Sequence, residues 1–120
     1  MSEKKGHYAK TENSDKTYQV LYNNEVILES DQVVILTEYY DGRAMPAVIY
    51  FPRSSLSKLN ISRTNHSSHC PIKGDASYWS YQGAESGMWS YENPIQDLNQ
   101  IKDHFGFDQK KGFSVKIKGE

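Results

Sequence analysis

The segment from Asn65 to Trp79 carries most of the side chains in this sequence that could support catalysis. Cys70 lies within it, and a thiolate becomes a nucleophile when a neighbouring base takes its proton. His69 is the candidate base, and Glu38 is the candidate group that orients it. These residues predict a cysteine-dependent enzyme. The alternative is that Cys70 is a small buried side chain, because free cysteine is among the most buried residue types. The alternative for Glu38 is a structural ion pair with Arg53 or Lys73.

A metal site is a further interpretation of the same segment. His66 is a second candidate base, and together with His69 and Cys70 it could ligate a metal ion. The H-x-x-H-C spacing, however, matches no common zinc motif. The chain has one cysteine, which excludes an internal disulfide and a four-cysteine zinc site. We therefore expect no metal site and no cofactor.

A second set of side chains suits a small polar or anionic ligand. A lysine beside a glycine can hold an anion against exposed backbone N–H groups, and aromatic surface beside cations suits a planar anion. The candidates for ligand binding are Arg53, Lys73, Gly74, Tyr78 and Trp79. The alternatives are an ordinary turn for the Lys73-Gly74 pair and core packing for the two aromatic residues.

The charge balance argues against large anionic partners. The formal net charge is −1, from 14 basic and 15 acidic residues, so no bulk field recruits long nucleic acid or a membrane surface. The longest apolar run, from Val33 to Leu36, is too short to span a bilayer. No apolar stretch follows the N-terminal lysines, as a secretory signal requires. We expect a cytoplasmic protein with a small-molecule partner, and its oligomeric state stays open.

Strands are expected to position these side chains. Apolar and polar residues alternate from Tyr18 to Tyr22 and from Phe113 to Ile117, and β-branched and aromatic residues fill Val33 to Tyr40 and Ala47 to Phe51. Asn93-Pro94 is a helix-start signal, and an apolar stripe at helical spacing follows it, so one short helix is predicted from Pro94 to His104. The sum is an all-β antiparallel sheet domain with one short helix.

Two stretches lack such patterns. The first 16 residues are polar, with almost no apolar content, so we expect residues 1–16 to form a flexible tail before a single β domain at residues 17–120. Residues Asn60 to Asp75 show no period and are rich in Ser, Asn, His, Pro and Gly. They predict a long ordered loop, and loops of that length are often functional.

Three motifs carry a family resemblance. In chain order they are Tyr50-Phe51-Pro52, Cys70-Pro71-Ile72-Lys73-Gly74-Asp75-Ala76-Ser77-Tyr78-Trp79 and Trp89-Ser90-Tyr91. This arrangement resembles the bacterial domain-of-unknown-function family 427, at times labelled nucleotidyltransferase-like. The resemblance runs from about Tyr18 to Phe107. The position after the Cys-Pro pair is usually aromatic in the family and is Ile72 here.

The resemblance implies a fold more than a function. The family is similar in topology to the small β-tent, or Mss-four-like, domains that include methionine sulfoxide reductase B and several zinc modules. Many of those relatives hold zinc with paired Cys-x-x-Cys motifs, which a single cysteine cannot supply. No paired acidic metal ligands follow a Gly-Ser motif in this sequence, so the nucleotidyltransferase-like label implies no activity for it.

Three functions from different classes therefore stay open. The preferred one is an uncharacterised small soluble domain that binds a small polar or anionic ligand in a pocket near the loop from Cys70 to Gly74. The second is the cysteine-dependent enzyme. The third is a protein-interaction module without chemistry, which would present a flat exposed apolar patch in place of a pocket.

Overall fold

The computed structural model describes residues 6–120, and antiparallel strands dominate it. The strands in this part of the chain are β1 His7–Asn13, β2 Tyr18–Tyr22, β3 Glu25–Ser30, β4 Val34–Tyr40, β5 Arg43–Ala44, β6 Val48–Pro52, β7 Ile61–Cys70, β8 Gly74–Tyr81, β9 Ala84–Ser90, β10 His104–Phe107 and β11 Phe113–Ile117. Short 3-10 helices span Arg53–Leu56, Gln96–Ile101 and Gln109–Lys111. None of the helices described is long and apolar enough to cross a membrane.

The expected fold class is confirmed, since the strands form an open antiparallel sandwich. The larger sheet has the strand order β1-β4-β6-β10-β9-β8-β7, with β5 paired to β4, and the smaller sheet has the order β11-β2-β3. The short helix predicted from Pro94 to His104 is present as the 3-10 segment Gln96–Ile101. Asn23 and Asn24 join β2 to β3 with φ of 48° and 70°, the left-handed conformation that a two-residue hairpin turn requires.

The larger sheet separates two hydrophobic cores. Successive side chains of a strand point to opposite faces, so the central strands β6, β8 and β9 contribute to both cores. The first core includes the buried residues Val20, Leu28, Phe51, Trp79, Met88 and Phe105. The second core includes Leu36, Tyr50, Ala76, Tyr91, Leu98 and Ile101, of which the last two belong to the segment Gln96–Ile101. Side chains adjacent in sequence on one strand are therefore separated by the sheet.

Strand β1 differs from the expected flexible tail. His7–Asn13 pairs along its whole length with β4, so the paired part of the chain begins within residues 1–16. Backbone pairing and ring stacking hold β1 in place. The ring centroids of Tyr8 and Tyr39 lie 5.1 Å apart. Such pairing needs no apolar run, which is why composition did not predict it. Residues 1–5 lie outside the described part of the chain.

The expected long loop is also a strand. Ile61–Cys70 forms β7, paired with β8, and the register shifts between Arg63 and Ser67. Strand β7 is the last in the order of the larger sheet, and most of its side chains are exposed on both faces. A strand exposed on both faces needs no alternation of apolar and polar residues. The loop prediction for residues 60–75 was therefore wrong for a physical reason.

Candidate functional site

Glu38 lies at the centre of a partly buried ionic network. Its Oε1 accepts a hydrogen bond from the Lys73 ammonium, and its Oε2 is 2.6 Å from Nε2 of His7. The side chains of Lys73 and Glu38 are only 11% and 20% exposed. Burial alone would raise the pKa of Glu38, but the hydrogen bonds and charges of Lys73 and His7 outweigh it and hold that pKa below its ordinary value. Glu38 is thus an ionised carboxylate with both oxygens engaged.

Three separate elements bring this network together. Glu38 is on β4, on the same face as Leu36 of the second core, and Lys73 is in the turn between β7 and β8. Strands β4 and β8 are four steps apart in the sheet, which would separate them by about 19 Å if the sheet were flat. The contact between Glu38 and Lys73 therefore requires a strongly curled sheet. His7 comes from β1, where its ring stacks on Tyr40 with centroids 4.2 Å apart.

The turn that carries Lys73 is fixed by its backbone. The N–H of Lys73 donates to the carbonyl of Cys70 at 3.2 Å, and the carbonyl of Lys73 accepts from the N–H of Ile95 at 2.9 Å. Gly74 has φ of 109°, and a Cβ there would lie 3.3 Å from the carbonyl oxygen of Asn93. Gly74 therefore permits a close approach of two backbone segments, which explains this glycine without a ligand.

The three catalytic candidates are not assembled into one site. His69 and Cys70 are adjacent on β7, so their side chains leave opposite faces of the strand. Nδ1 of His69 is 2.7 Å from Oδ1 of Asp75 in an exposed pair, whereas Cys70 is half-buried and packs against the second core. Glu38 contacts Lys73 and His7. Among the described residues, no group of three His, Cys, Asp or Glu side chains could hold a metal ion.

The five ligand-binding candidates divide between the two faces of the sheet. Tyr78 packs against the second core, and its hydroxyl is 2.8 Å from the Ser68 hydroxyl. Trp79, the next residue, belongs to the first core. The Arg53 guanidinium carbon lies 5.7 Å from the centroid of the Trp79 ring, on the face opposite to Lys73 and Tyr78. Arg53 and Lys73 therefore cannot share one ligand.

A cleft of about 480 Å³ opens beside the ionic network, between β1 and the turn after Cys70. Its lining comprises His7, Tyr8, Ala9, Pro71, Ile72, Ile95 and Asp97. The sequence predicted a pocket near the loop from Cys70 to Gly74, which contains Pro71 and Ile72, but none of the seven lining residues was among the candidate site residues. His7 lay in the supposed tail, and nothing in the composition of residues 1–16 marks it. Ile95 begins the apolar stripe that the sequence places after Pro94, but its side chain is 40% exposed and lines the cleft together with Ile72.

Comparison with known proteins agrees with the sequence motifs. Residues 10–117 match the model of a family described as Domain of unknown function (DUF427). No curated protein matches the chain. The family match includes β4 and the turn carrying Lys73, but it begins at Lys10 and so leaves out His7, Tyr8 and Ala9 of the cleft. Because the match spans most of the chain, this protein belongs to the DUF427 family.

Proposed function

We propose that this chain is a binding domain for a small polar ligand, which occupies the cleft between β1 and the turn after Cys70. One observation carries the proposal. The wall of a cleft of about 480 Å³ includes His7, and Nε2 of His7 is held 2.6 Å from the ionised Glu38. Ligand sites combine apolar walls with a few fixed polar groups, and their volumes are commonly about 300–1,000 Å³.

His7 supplies a fixed hydrogen-bonding atom for the ligand. A carboxylate accepts from the nitrogen it faces, so Nε2 carries the proton donated to Glu38. Nδ1 of His7 makes no hydrogen bond to the described residues. It accepts a hydrogen bond when the imidazole is neutral, and it donates one when the ring is protonated, the form whose charge lowers the pKa of Glu38. Lys73 holds Glu38 from the other side, so the orientation of the ring is fixed before the ligand arrives. A ligand hydroxyl, which can both donate and accept, would pair with Nδ1 in either form of the ring.

The charges around the cleft favour a ligand that donates hydrogen bonds over an anion. Asp97 lines the cleft and is exposed, so its carboxylate repels anions and accepts hydrogen bonds. Lys73, which follows the lining residue Ile72 in the chain, already pairs with Glu38. Ile72 and Ile95 provide apolar contact for the body of the ligand. We therefore favour a polyol or amino alcohol over the carboxylates and phosphates that the sequence also allowed.

An NMR titration with three small compounds tests this function. The ¹H–¹⁵N spectrum of the protein would be recorded with myo-inositol, ethanolamine and, as the anionic comparison, sodium acetate. We expect saturable shifts from a polyol or amino alcohol, confined to the amides of residues 7–9, 72–73 and 95–97. If neither donor compound perturbs those amides, or if acetate perturbs them more strongly, the proposal fails.

Ile95→Trp is the blocking variant for this screen, because the larger side chain would fill the mouth of the cleft. The matched control is Val26→Trp, since Val26 is also an exposed apolar residue, at 49% against 40%, but lies on β3 in the other sheet. We expect Ile95→Trp to abolish the shifts and Val26→Trp to preserve them. Shifts that survive in Ile95→Trp would place the ligand elsewhere.

A further inference from the structure

On the face opposite to the cleft, Arg53 is held in place without using its hydrogen-bond donors. Its guanidinium carbon lies 4.9 Å from the centroid of the Phe105 ring and 5.7 Å from that of Trp79, so the two buried rings support it. Its Nη2 is 3.9 Å from Oε2 of Glu92 and from Oδ1 of Asp103, beyond hydrogen-bond distance. Within residues 6–120 the guanidinium donates no hydrogen bond.

The neighbouring arginine is already satisfied. Arg63 donates from Nη1 to Oε2 of Glu92 at 3.1 Å and from Nη2 to the Ser77 hydroxyl at 2.9 Å, and its Nη2 is also 2.9 Å from Oε1 of Glu92. The Ser77 hydroxyl in turn donates to Glu92 at 3.2 Å. The hydrogen bonds from Arg63 are the main cause of the lowered pKa of Glu92. Arg63 and Glu92 therefore neutralise each other.

One cation and one anion keep their hydrogen-bonding capacity unused after that pairing, although they lie within ion-pair distance of each other. They are Arg53 and Asp103, whose side chains are 49% and 52% exposed. The carboxylate of Asp103 accepts no hydrogen bond from the described residues, while the backbone carbonyl of Asp103 fixes Arg53 by accepting from its N–H at 3.1 Å. The two charged groups are thus positioned side by side through the backbone, with free donors on one and free acceptors on the other.

We propose that Arg53 and Asp103 form a binding site for a zwitterion of the α-amino-acid type. The carboxylate of the ligand would take two donors of the Arg53 guanidinium, a fork that matches carboxylate geometry. The ammonium of the ligand would donate to Asp103. The Trp79 and Phe105 rings support the guanidinium plane, so little side-chain freedom is lost on binding.

Charge decides between a zwitterion and a simple anion. An anion at Arg53 would also lie near the carboxylates of Asp103 and Glu92, each 3.9 Å from the same Nη2, and their repulsion offsets much of the attraction. A zwitterion places a positive group against Asp103 and so removes that repulsion. This site is independent of the cleft beside His7, because the sheet lies between them.

Three compounds of nearly equal size test the proposal. L-Alanine carries both charges, propionate lacks the ammonium, and ethylammonium lacks the carboxylate. The readouts are the Nε–Hε signal of Arg53 and the indole N–H signal of Trp79 during titration. We expect saturable shifts with L-alanine and at least about tenfold weaker effects with the other two, since each lacks one charge-assisted contact. Equal shifts with propionate would identify a plain anion site and overturn the proposal, as would the absence of a response to L-alanine.

Arg53→Gln and Asp103→Asn are the test variants, and Arg43→Gln is the control because Arg43 is an exposed arginine on β5. Each test variant should weaken L-alanine binding about tenfold or more, whereas Arg43→Gln should leave it unchanged. Asp103→Asn changes an exposed side chain, so it answers the question even if Arg53→Gln disturbs the aromatic layer. Unchanged affinity in Asp103→Asn would refute the zwitterion site.

Discussion

The Lys73 ammonium donates a hydrogen bond to the Glu38 carboxylate of β4, although the turn that carries Lys73 leads into β8, which lies four steps from β4 in the sheet. Both side chains are largely buried, and His7 engages the second oxygen of Glu38. An ion pair in this position does two things at once. It links β4 to the turn before β8, two distant parts of the curled sheet. It also fixes His7 in the wall of the cleft in which we place the ligand.

Lys73→Met tests the structural part of that role. Removal of one partner leaves Glu38 as a partly buried charge, which is more costly than removal of both partners. We expect a loss of about 2–3 kcal/mol in the free energy of unfolding, measured by urea denaturation. The control is Lys118→Met, which breaks the exposed pair between Lys118 and Glu29 and should cost less than about 0.5 kcal/mol. Equal losses in the free energy of unfolding would show that the Lys73–Glu38 pair stabilises the curled sheet no more than an exposed surface pair does.

The lowered pKa of Glu38 predicts how stability depends on pH. A carboxylate whose pKa is lower in the folded protein than in the unfolded chain adds stability that is complete above the unfolded value, here near 4.5. That stability is lost as the pH falls through the lower folded pKa. We therefore expect the stability difference between wild type and Glu38→Gln to be constant near pH 7 and to shrink below about pH 4.5. Urea denaturation at a series of pH values measures it, with Glu29→Gln as the surface control.

A difference between wild type and Glu38→Gln that stays constant down to pH 3 would contradict this assignment. It would mean that Glu38 contributes through packing and not through its charge.

The sequence predicted the strands that carry alternating or β-branched residues, because alternation directly reports one buried face. Val34–Tyr40, Val48–Pro52 and Phe113–Ile117 all lie within or close to the predicted runs. It failed for β1 and β7, the two ends of the larger sheet. Edge strands are held by backbone pairing and are exposed, so their side chains need not alternate.

The candidate site was predicted in its parts but not in its arrangement. Glu38 and Lys73 were both named, and an ion pair between them was one of the partnerships considered. Their contact arises from the curl of the sheet, which no local pattern encodes. Arg53 and Trp79 were placed with Lys73 and Tyr78, although Tyr78 and Trp79 face opposite sides of β8. Any strand through these two adjacent residues separates their side chains, because side chains alternate between the faces with a period of two.

Replacement of Ser90 is expected to preserve or increase stability, unlike the replacement of Lys73. Its hydroxyl is fully buried and has no hydrogen-bond partner among the described residues. A buried polar group without a partner destabilises the folded state, so Ser90→Ala should leave the protein equally stable or up to about 1 kcal/mol more stable. Ser77→Ala is the matched comparison, because Ser77 faces Ser90 across the ladder and is hydrogen-bonded to Arg63 and Glu92.

We expect Ser77→Ala to lower the free energy of unfolding by about 0.5–1.5 kcal/mol, in line with the loss of ordinary hydrogen bonds. Thermal and urea unfolding of the two variants provide the measurement. If Ser90→Ala is the more damaging of the two, the Ser90 hydroxyl has a partner that stabilises the fold.

The reactivity of Cys70 separates the enzyme hypothesis from the binding hypothesis. His69 is paired with Asp75 and leaves the opposite face of β7, so it cannot take a proton from Cys70 in this arrangement. We expect His69→Ala to change the rate of Cys70 labelling by a disulfide reagent less than about twofold near neutral pH. Since Cys70 is half-buried, labelling should also be slower in the folded protein than in urea. A decrease of about tenfold or more in His69→Ala would mean that the imidazole activates the thiol after all. That result would favour the cysteine-dependent enzyme over the binding domain, because a spectator histidine cannot set the rate of attack by a thiolate.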